Sequence, residues 1–199
     1  MRLILLRHGD STWNAQGRMQ GTADPPLSAA GRAAAEALAP LVARLRPDAV
    51  VSSDLLRARQ TAEALGLADA VADARWREAG LGRWTGRLAR EVVAEEGAAH
   101  AAWLEGSGAP PGGEAFADTC ARVAEAIGEL AASGAERALV VTHGGPIRAA
   151  CATVARLPRS GLVPVPTASL TEIAVNRGRP GWVVAFGVTP RGPVRAAPP

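Results

Sequence analysis

The sequence predicts an α/β fold, a three-layer sandwich in which helices flank a mostly parallel central sheet. Short apolar runs at Leu3–Leu6, Ala49–Val51 and Arg137–Thr142 are bounded by turn-forming residues and read as buried strands. Amphipathic helical stretches separate them over about the first 150 residues, the alternation that builds a parallel sheet. The 199 residues, 48% of them hydrophobic, suffice for one core. We expect a single domain over 1–190, with a small cap insertion at about 87–115 and a disordered tail at 191–199.

The elements follow in order. Asp10 to Pro26 is polar and rich in Gly, Asn and Pro, so it reads as a loop with room for a turn of helix. Ser28 caps a helix whose small and apolar positions are Ala30, Ala34, Leu38, Leu41 and Leu45. Pro40 should kink that helix and Pro47 end it. After the second strand, Ser53 or Asp54 caps a helix through about Leu65. A weak strand is expected near Val71–Trp76, and a glycine-rich loop at 78–86. Helical pattern returns from about Leu88 to Glu105, and Gly106–Gly113 breaks it. From Glu114 to Leu130 a helical face carries Phe116, Cys120, Val123, Ile127 and Leu130. Pro146 stands in the first turn of the helix after the third strand, a preferred proline position. Ser169–Val175 and Trp182–Val188 alternate about a turn and read as a hairpin.

Composition excludes several function classes. The net charge is 22 − 19 = +3, and every basic residue is Arg. The arginines are scattered, with no basic tract that could track a nucleic-acid backbone. No run of about 18 apolar residues exists, so no membrane span is expected. The apolar N-terminal stretch is too short for a signal peptide, which points to the cytoplasm. Two cysteines, Cys120 and Cys151, make neither a disulfide framework nor a zinc site. Cys120, on the apolar face of its helix, reads as a buried free thiol.

Ligands of such sheets sit beyond the carboxyl ends of the strands. Three strand ends carry notable residues: Arg7-His8-Gly9, then Ser52-Ser53 followed by Arg57, and His143-Gly144-Gly145 opening a helix. Two imidazoles, two guanidiniums and free backbone N–H groups suit a tetrahedral oxyanion. Two fixed arginines would repel a cation, so no metal is expected. The combination describes a phosphoryl pocket with a histidine able to attack phosphorus.

RHGDSTWN at 7–14 resembles the signature of the histidine phosphatase superfamily, the phosphoglycerate mutase-like family. GRMQGTADPPLSAAG at 17–31, SSDLLRARQTA at 52–62, REAGLGRWTG at 77–86 and VVTHGGPIRA at 140–149 resemble its later blocks, in order. The resemblance implies a phosphoglycerate mutase-like fold and no cofactor. It implies His8 as nucleophile, with Arg7, Arg57 and His143 gripping the phosphoryl oxygens and Asn14 adding a donor. Glu78 would protonate the leaving oxygen and then deprotonate water. Gln20 and Gly21 would line the substrate side, with Gly144 at the helix start. His8 must attack as neutral imidazole, whereas His143 serves better protonated.

The other readings are structural. Asn14 could be a turn cap, Gln20 a loop residue and Glu78 a solvated carboxylate. His100 reads as a surface histidine, and Trp84 and Trp103 as packing residues. Arg83 and Arg87 could equally meet a second anionic group or solvent. In function, a phosphomonoester hydrolase is preferred over a mutase or a non-catalytic phosphate-binding module. Family mutases resemble one another in an Arg-His-Tyr-Gly stretch after the acid. Here AGLGRWTG follows Glu78, the chain has no Tyr, and the segment from Gly86 to His143 is short. The partner would be a small phosphorylated metabolite, with a homodimer as an allowed assembly.

Overall fold

The computed structural model describes residues 1–176, 178–189 and 192–193. The first apolar run forms β1 (Arg2–Arg7), inside a seven-stranded sheet. On one side lie β2 (Ala49–Ser52), β3 (Val71–Ala72) and β4 (Arg137–Thr142), all parallel to β1, in the order β3-β2-β4-β1. On the other side β5 (Ser169–Ala174), β6 (Trp182–Thr189) and β7 (Gly192–Pro193) join in turn, each antiparallel to its neighbour. Because β6 opposes β5 and β5 opposes β1, β6 again runs along β1. The sheet is therefore mostly parallel in direction, although its last three pairings are antiparallel.

Alternation along β1 sends side chains to both faces. Leu3 and Leu5 pack with Val123 and Ile127 of α6 (Phe116–Ala132) and with Ile147 and Cys151 of α7 (Gly144–Ala155). Ile4 and Leu6 pack on the other face with Leu38, Val42, Ala58 and Leu65. These residues belong to, or flank, α3 (Ala39–Leu45) and α4 (Leu56–Ala64). All four strand residues are buried, each contributing about 1.5–3 kcal/mol of hydrophobic stabilisation.

Several boundaries differ from expectation. Pro40 does not kink one helix. The chain instead breaks at Ala37–Leu38 into α2 (Ala29–Glu36) and α3, with Pro40 in the first turn of α3, where its missing N–H is tolerated. The Ser28 hydroxyl caps α2 by accepting from Gly31 N. Neither Ser53 nor Asp54 caps α4, which starts at Leu56. Asp24 Oδ1, from the preceding loop, accepts from Leu56 N at 2.6 Å instead. The weak third strand shrinks to Val71–Ala72, and Ala74–Trp76 turns into a 3-10 helix. Helix α6 begins at Phe116 rather than Glu114, because the Glu114 carboxylate is taken by Gly80 N and Arg122. Cys120 is half-buried rather than fully buried, and both thiols are free.

Over the carboxyl ends of the parallel strands, Met19, Leu81, Trp84 and Val92 form a small separate core. It anchors α5 (Ala89–Glu105), which departs from helical geometry at Glu96. There the carboxylate accepts from Trp84 Nε1 at 3.0 Å and from Arg87 at 2.6 Å. Of the tail expected at 191–199, only Gly192–Pro193 are described, and they pair with Val188–Thr189. The other tail positions lie outside the described residues. Among the described residues no helix is long and apolar enough to cross a membrane.

Candidate active site

The parallel register brings three strand ends to one edge. Arg7 ends β1 opposite Thr142 of β4, and Ser52 ends β2 beside Val141. His8 follows β1, and its backbone is fixed by His8 N to Thr142 O and by Ala168 N to His8 O. The next residue must be glycine, because a Cβ on Gly9 would lie 2.3 Å from Gly31 O. Gly31 has the same constraint, with Asp10 O 2.0 Å from its own Cβ position. This close approach packs the first turn of α2 against the loop that carries His8.

His8 is buried, and its Nδ1 lies 2.6 Å from Gly9 O. A carbonyl only accepts, so Nδ1 carries the proton and the lone pair sits on Nε2. Arg57 Nε donates to that lone pair at 3.3 Å. Burial, then Arg7 and Arg57, push the His8 pKa well below the ordinary histidine value. The ring is neutral, with the tautomer a nucleophile requires.

His143 lies behind it, the two ring centroids 5.0 Å apart. Its Nε2 meets Ser53 Oγ at 2.8 Å, while Leu55 N donates to the same hydroxyl. With Nε2 on Ser53, Nδ1 is the ring nitrogen left for a ligand. That Nδ1 is buried and without a partner among the described residues. The expectation of a protonated His143 concerns the site with phosphate bound. Burial, then Arg57, His8 and Arg7, hold its pKa well below the ordinary value. The guanidinium charges disfavour a further cation, and a bound dianion would act in the opposite sense.

Arg57 is buried in α4, and burial lowers its pKa to about 10. Besides His8, it donates to Ala23 O at 2.7 Å and Gly21 O at 2.9 Å. Gly21 therefore contributes a carbonyl that orients Arg57, rather than a donor for phosphate. Arg7 donates to Val165 O, and its Nε has no partner among the described residues. Asn14 combines both of its readings. Its Oδ1 accepts from Ser11 N, and its own N–H donates to Ser11 Oγ, in a capping box on α1 (Thr12–Ala15), and its Nδ2 is left to donate to a ligand. Gln20 is buried, with Oε1 accepting from Ser11 Oγ at 2.8 Å.

Glu78 meets the start of α7. Its carboxylate accepts from Gly145 N at 3.1 Å and Ala79 N at 2.9 Å. A Cβ on Gly145 would lie 2.1 Å from Glu78 Oε1, so glycine admits the carboxylate there. Arg122 holds the segment in place, donating to the carbonyls of Arg75 and Arg77 and to both oxygens of Glu114. Burial acts to raise the Glu114 pKa, but Arg122 keeps it below the ordinary carboxylate value.

All nine expected site residues except the wholly enclosed His143 line one cavity of about 300 Å³. A larger cleft of about 880 Å³ lies along β2 and β3, but its wall holds no histidine and only Arg75 as a cation. Arg75 is paired with Asp73, Glu125 and Glu129, so that cleft offers no free anion grip. Among the described residues no cluster of His, Cys, Asp and Glu could hold a metal ion.

Sequence reasoning missed three residues of the cavity wall. His100, expected at the surface, packs against Trp84 and Trp103 with centroids 5.8 and 5.4 Å away and lines the cavity. Burial lowers its pKa. Arg148 and Arg159 also line the wall. Arg83 and Arg87 do not: Arg83 is exposed, and Arg87 pairs with Glu95 and Glu96. Arg148 lies one turn beyond Gly144 in the last matched block, a spacing that could have revealed it. Arg159 had no sequence signal.

The family model of the histidine phosphatase superfamily (branch 1) matches residues 3–186. The glucosyl-3-phosphoglycerate phosphatase of Mycobacterium tuberculosis is 39% identical over 170 residues, 79% of this chain and 76% of that protein. The probable phosphoglycerate mutase GpmB of Salmonella paratyphi C is 32% identical over 164 residues, again 79% of this chain and 76% of that protein. The solved structure of a mycobacterial glucosyl-3-phosphoglycerate phosphatase complexed with VO3 superposes with a TM-score of 0.87. It is 35% identical and covers 94% of this chain and 98% of that one.

Proposed function

The chain belongs to the histidine phosphatase superfamily, and from that premise we propose that it hydrolyses a small phosphomonoester through a phosphohistidine on His8. The observation that carries this reading is the neutral His8, with its proton tied to Gly9 O and its lone pair facing Arg57. Phosphoryl transfer needs positioning and charge neutralisation above all. Arg7, Arg57, Asn14 and, through Nδ1, His143 supply donors for the phosphoryl oxygens.

His8 Nε2 attacks phosphorus as the ester P–O bond breaks. The leaving oxygen takes a proton from Glu78. Water then attacks the phosphohistidine, Glu78 takes its proton, the P–N bond breaks and inorganic phosphate leaves. Gly144 lines the cavity at the N-terminus of α7, whose dipole favours the same oxygens, while the Gly145 N–H holds Glu78. No metal enters this scheme.

Hydrolysis is preferred over phosphoryl return to a bound product. A mutase must exclude water from the phosphohistidine. Here the short segment after Gly86 and the lack of Tyr argue against the mutase form. Glucosyl-3-phosphoglycerate belongs among the first substrates to test, because the Mycobacterium tuberculosis relative is named for it. Two free thiols fit a reducing, cytoplasmic setting.

The test is phosphate release over a panel of phosphomonoesters without a bisphosphate primer, with isomerisation of 3-phosphoglycerate followed in parallel. Primer-independent release is expected. Isomerisation faster than hydrolysis of every ester would overturn the reading.

A further inference from the structure

Glu78 stands on residues 77–81, a stretch that belongs to no helix or strand. A general acid must nonetheless sit within hydrogen-bond reach of the atom it protonates. The backbone from which Glu78 starts is fixed by side chains of two other elements. Thr142, at the end of β4, donates from Oγ1 to Trp76 O at 2.7 Å. Arg122, on α6, donates from Nη1 to the carbonyls on either side, Arg75 O at 2.6 Å and Arg77 O at 2.8 Å. Three successive carbonyls leading to Glu78 are therefore held from outside the stretch.

Beyond Glu78 the same guanidinium acts through a second residue. Its Nε and Nη2 donate to Glu114 Oε1 at 2.7 Å and Oε2 at 3.0 Å. Glu114 in turn takes both backbone groups of Gly80. Its Oε2 accepts from Gly80 N at 3.1 Å, and its N–H donates to Gly80 O at 2.8 Å. One guanidinium thus fixes the chain on both sides of Glu78. The Arg122 and Glu114 side chains are only 20% and 21% exposed, so water is poorly placed to take over these bonds. A planar fork that holds both oxygens of a carboxylate and two carbonyls at once has no lysine equivalent.

We propose that Arg122, working with Glu114, is a positioning residue for the general acid and sets where the Glu78 carboxylate meets the leaving oxygen. The proposal rests on the phosphatase reading of His8 and adds what makes its acid competent. Arg122 is not part of the cavity wall, and Glu114 lines the wall with both oxygens already taken. Both therefore act through the 75–80 backbone rather than on substrate. A misplacement of about 1 Å is enough to cost on the order of 10²-fold in rate. The loss should fall on esters whose leaving oxygen needs a proton, and should spare phosphate binding, which belongs to Arg7, Arg57 and Asn14.

The test is the ratio of two single-turnover rates of His8 phosphorylation. One substrate is the alkyl phosphate that the native enzyme hydrolyses fastest among 3-phosphoglycerate, O-phosphoserine and glycerol 3-phosphate. The other is p-nitrophenyl phosphate, whose leaving group needs no proton. Arg122→Gln should lower the alkyl-to-nitrophenyl ratio by ~10-fold or more. Inhibition by inorganic phosphate should stay close to native, and any loss of active protein cancels in the ratio. Glu114→Gln, which keeps the volume and one acceptor, should lower the ratio in the same direction and decides the matter if Arg122→Gln does not fold. In a Glu78→Gln background, Arg122→Gln should leave the ratio where Glu78→Gln alone puts it, because residues that act through one group are not additive. A ratio unchanged in the folded variants overturns the positioning role. So does a further drop of the same size in the Glu78→Gln background, which would show Arg122 acting elsewhere. Absence of release from every ester, p-nitrophenyl phosphate included, overturns instead the phosphatase reading beneath it.

Discussion

Arg57 donates its Nε–H to Nε2 of His8 across 3.3 Å, while Nδ1 of the same imidazole donates to Gly9 O at 2.6 Å. The two bonds fix one tautomer and aim its lone pair at a guanidinium. A phosphoryl group bound between them would meet a nucleophile and a cation at once. Burial of both residues makes this pairing stronger than it would be in water.

The first prediction concerns that lone pair. Enzyme mixed with a labelled phosphomonoester and quenched in base should carry acid-labile phosphate on His8. His8→Ala should lose the label and turnover together. Full turnover by His8→Ala would sink the assignment. A chelator should leave native turnover unchanged, because the scheme routes no step through a metal.

The second concerns pH. His8 and His143 have folded pKa values pushed well below the ordinary ~6.5, chiefly by burial and then by the arginines. Below about pH 6.5 the unfolded chain therefore binds protons that the native state does not. The stability from these two groups is complete above that pH and is lost as pH falls. Tm at constant ionic strength should drop from about pH 7.5 to about pH 5. Inorganic phosphate, by binding the native state, should offset part of the drop. A Tm that stays level or rises on acidification would contradict the assignment of both rings as neutral.

The third concerns Gly145. A methyl group there collides with Glu78 Oε1 at 2.1 Å, and the flexible carboxylate gives way rather than the backbone. Gly145→Ala should fold normally, since alanine suits the first turn of a helix. It should slow phosphorylation of His8 by alkyl esters by ~10²-fold or more, the scale of general acid help. Unimpaired turnover of alkyl esters by a folded Gly145→Ala would show that Glu78 does not act from this position.

The legible and illegible parts of the molecule divide by the range of the forces involved. Leu3–Leu6 and Arg137–Thr142 read as strands because they are short apolar runs bounded by turns, and they lie side by side in the sheet. Gly9 and Gly145 stood inside recognisable blocks, but the reasons for glycine came from distant atoms: Gly31 O and the Glu78 carboxylate. The start of α4 is not legible locally, because its N-terminal partner, Asp24, comes from another loop. Arg159 was silent for a similar reason. Its orientation depends on Trp103 and Phe116, more than 40 residues earlier, and no local pattern announces such stacking. The inward placement of His100 has no local signal, because the face of α5 that meets the cavity is set by Trp84, outside that helix.

The last prediction isolates Glu78 as the acid. An alkyl alkoxide leaves poorly without a proton, whereas nitrophenolate leaves without one. Glu78 accepts from Gly145 N and Ala79 N, and glutamine keeps a carbonyl oxygen able to accept the same bonds. Glu78→Gln should therefore preserve the local backbone while removing the transferable proton. Single-turnover phosphorylation of His8 should slow by ~10²–10⁴-fold for alkyl phosphates and far less for p-nitrophenyl phosphate. The single-turnover measurement matters because Glu78 also serves as base in the second step. The alkaline limb of the rate profile for alkyl esters should disappear in the variant. An equal, small loss with both substrates would reduce Glu78 to a helix-terminal acceptor. Glu114 would then be a poor replacement acid, since Arg122 holds both of its oxygens.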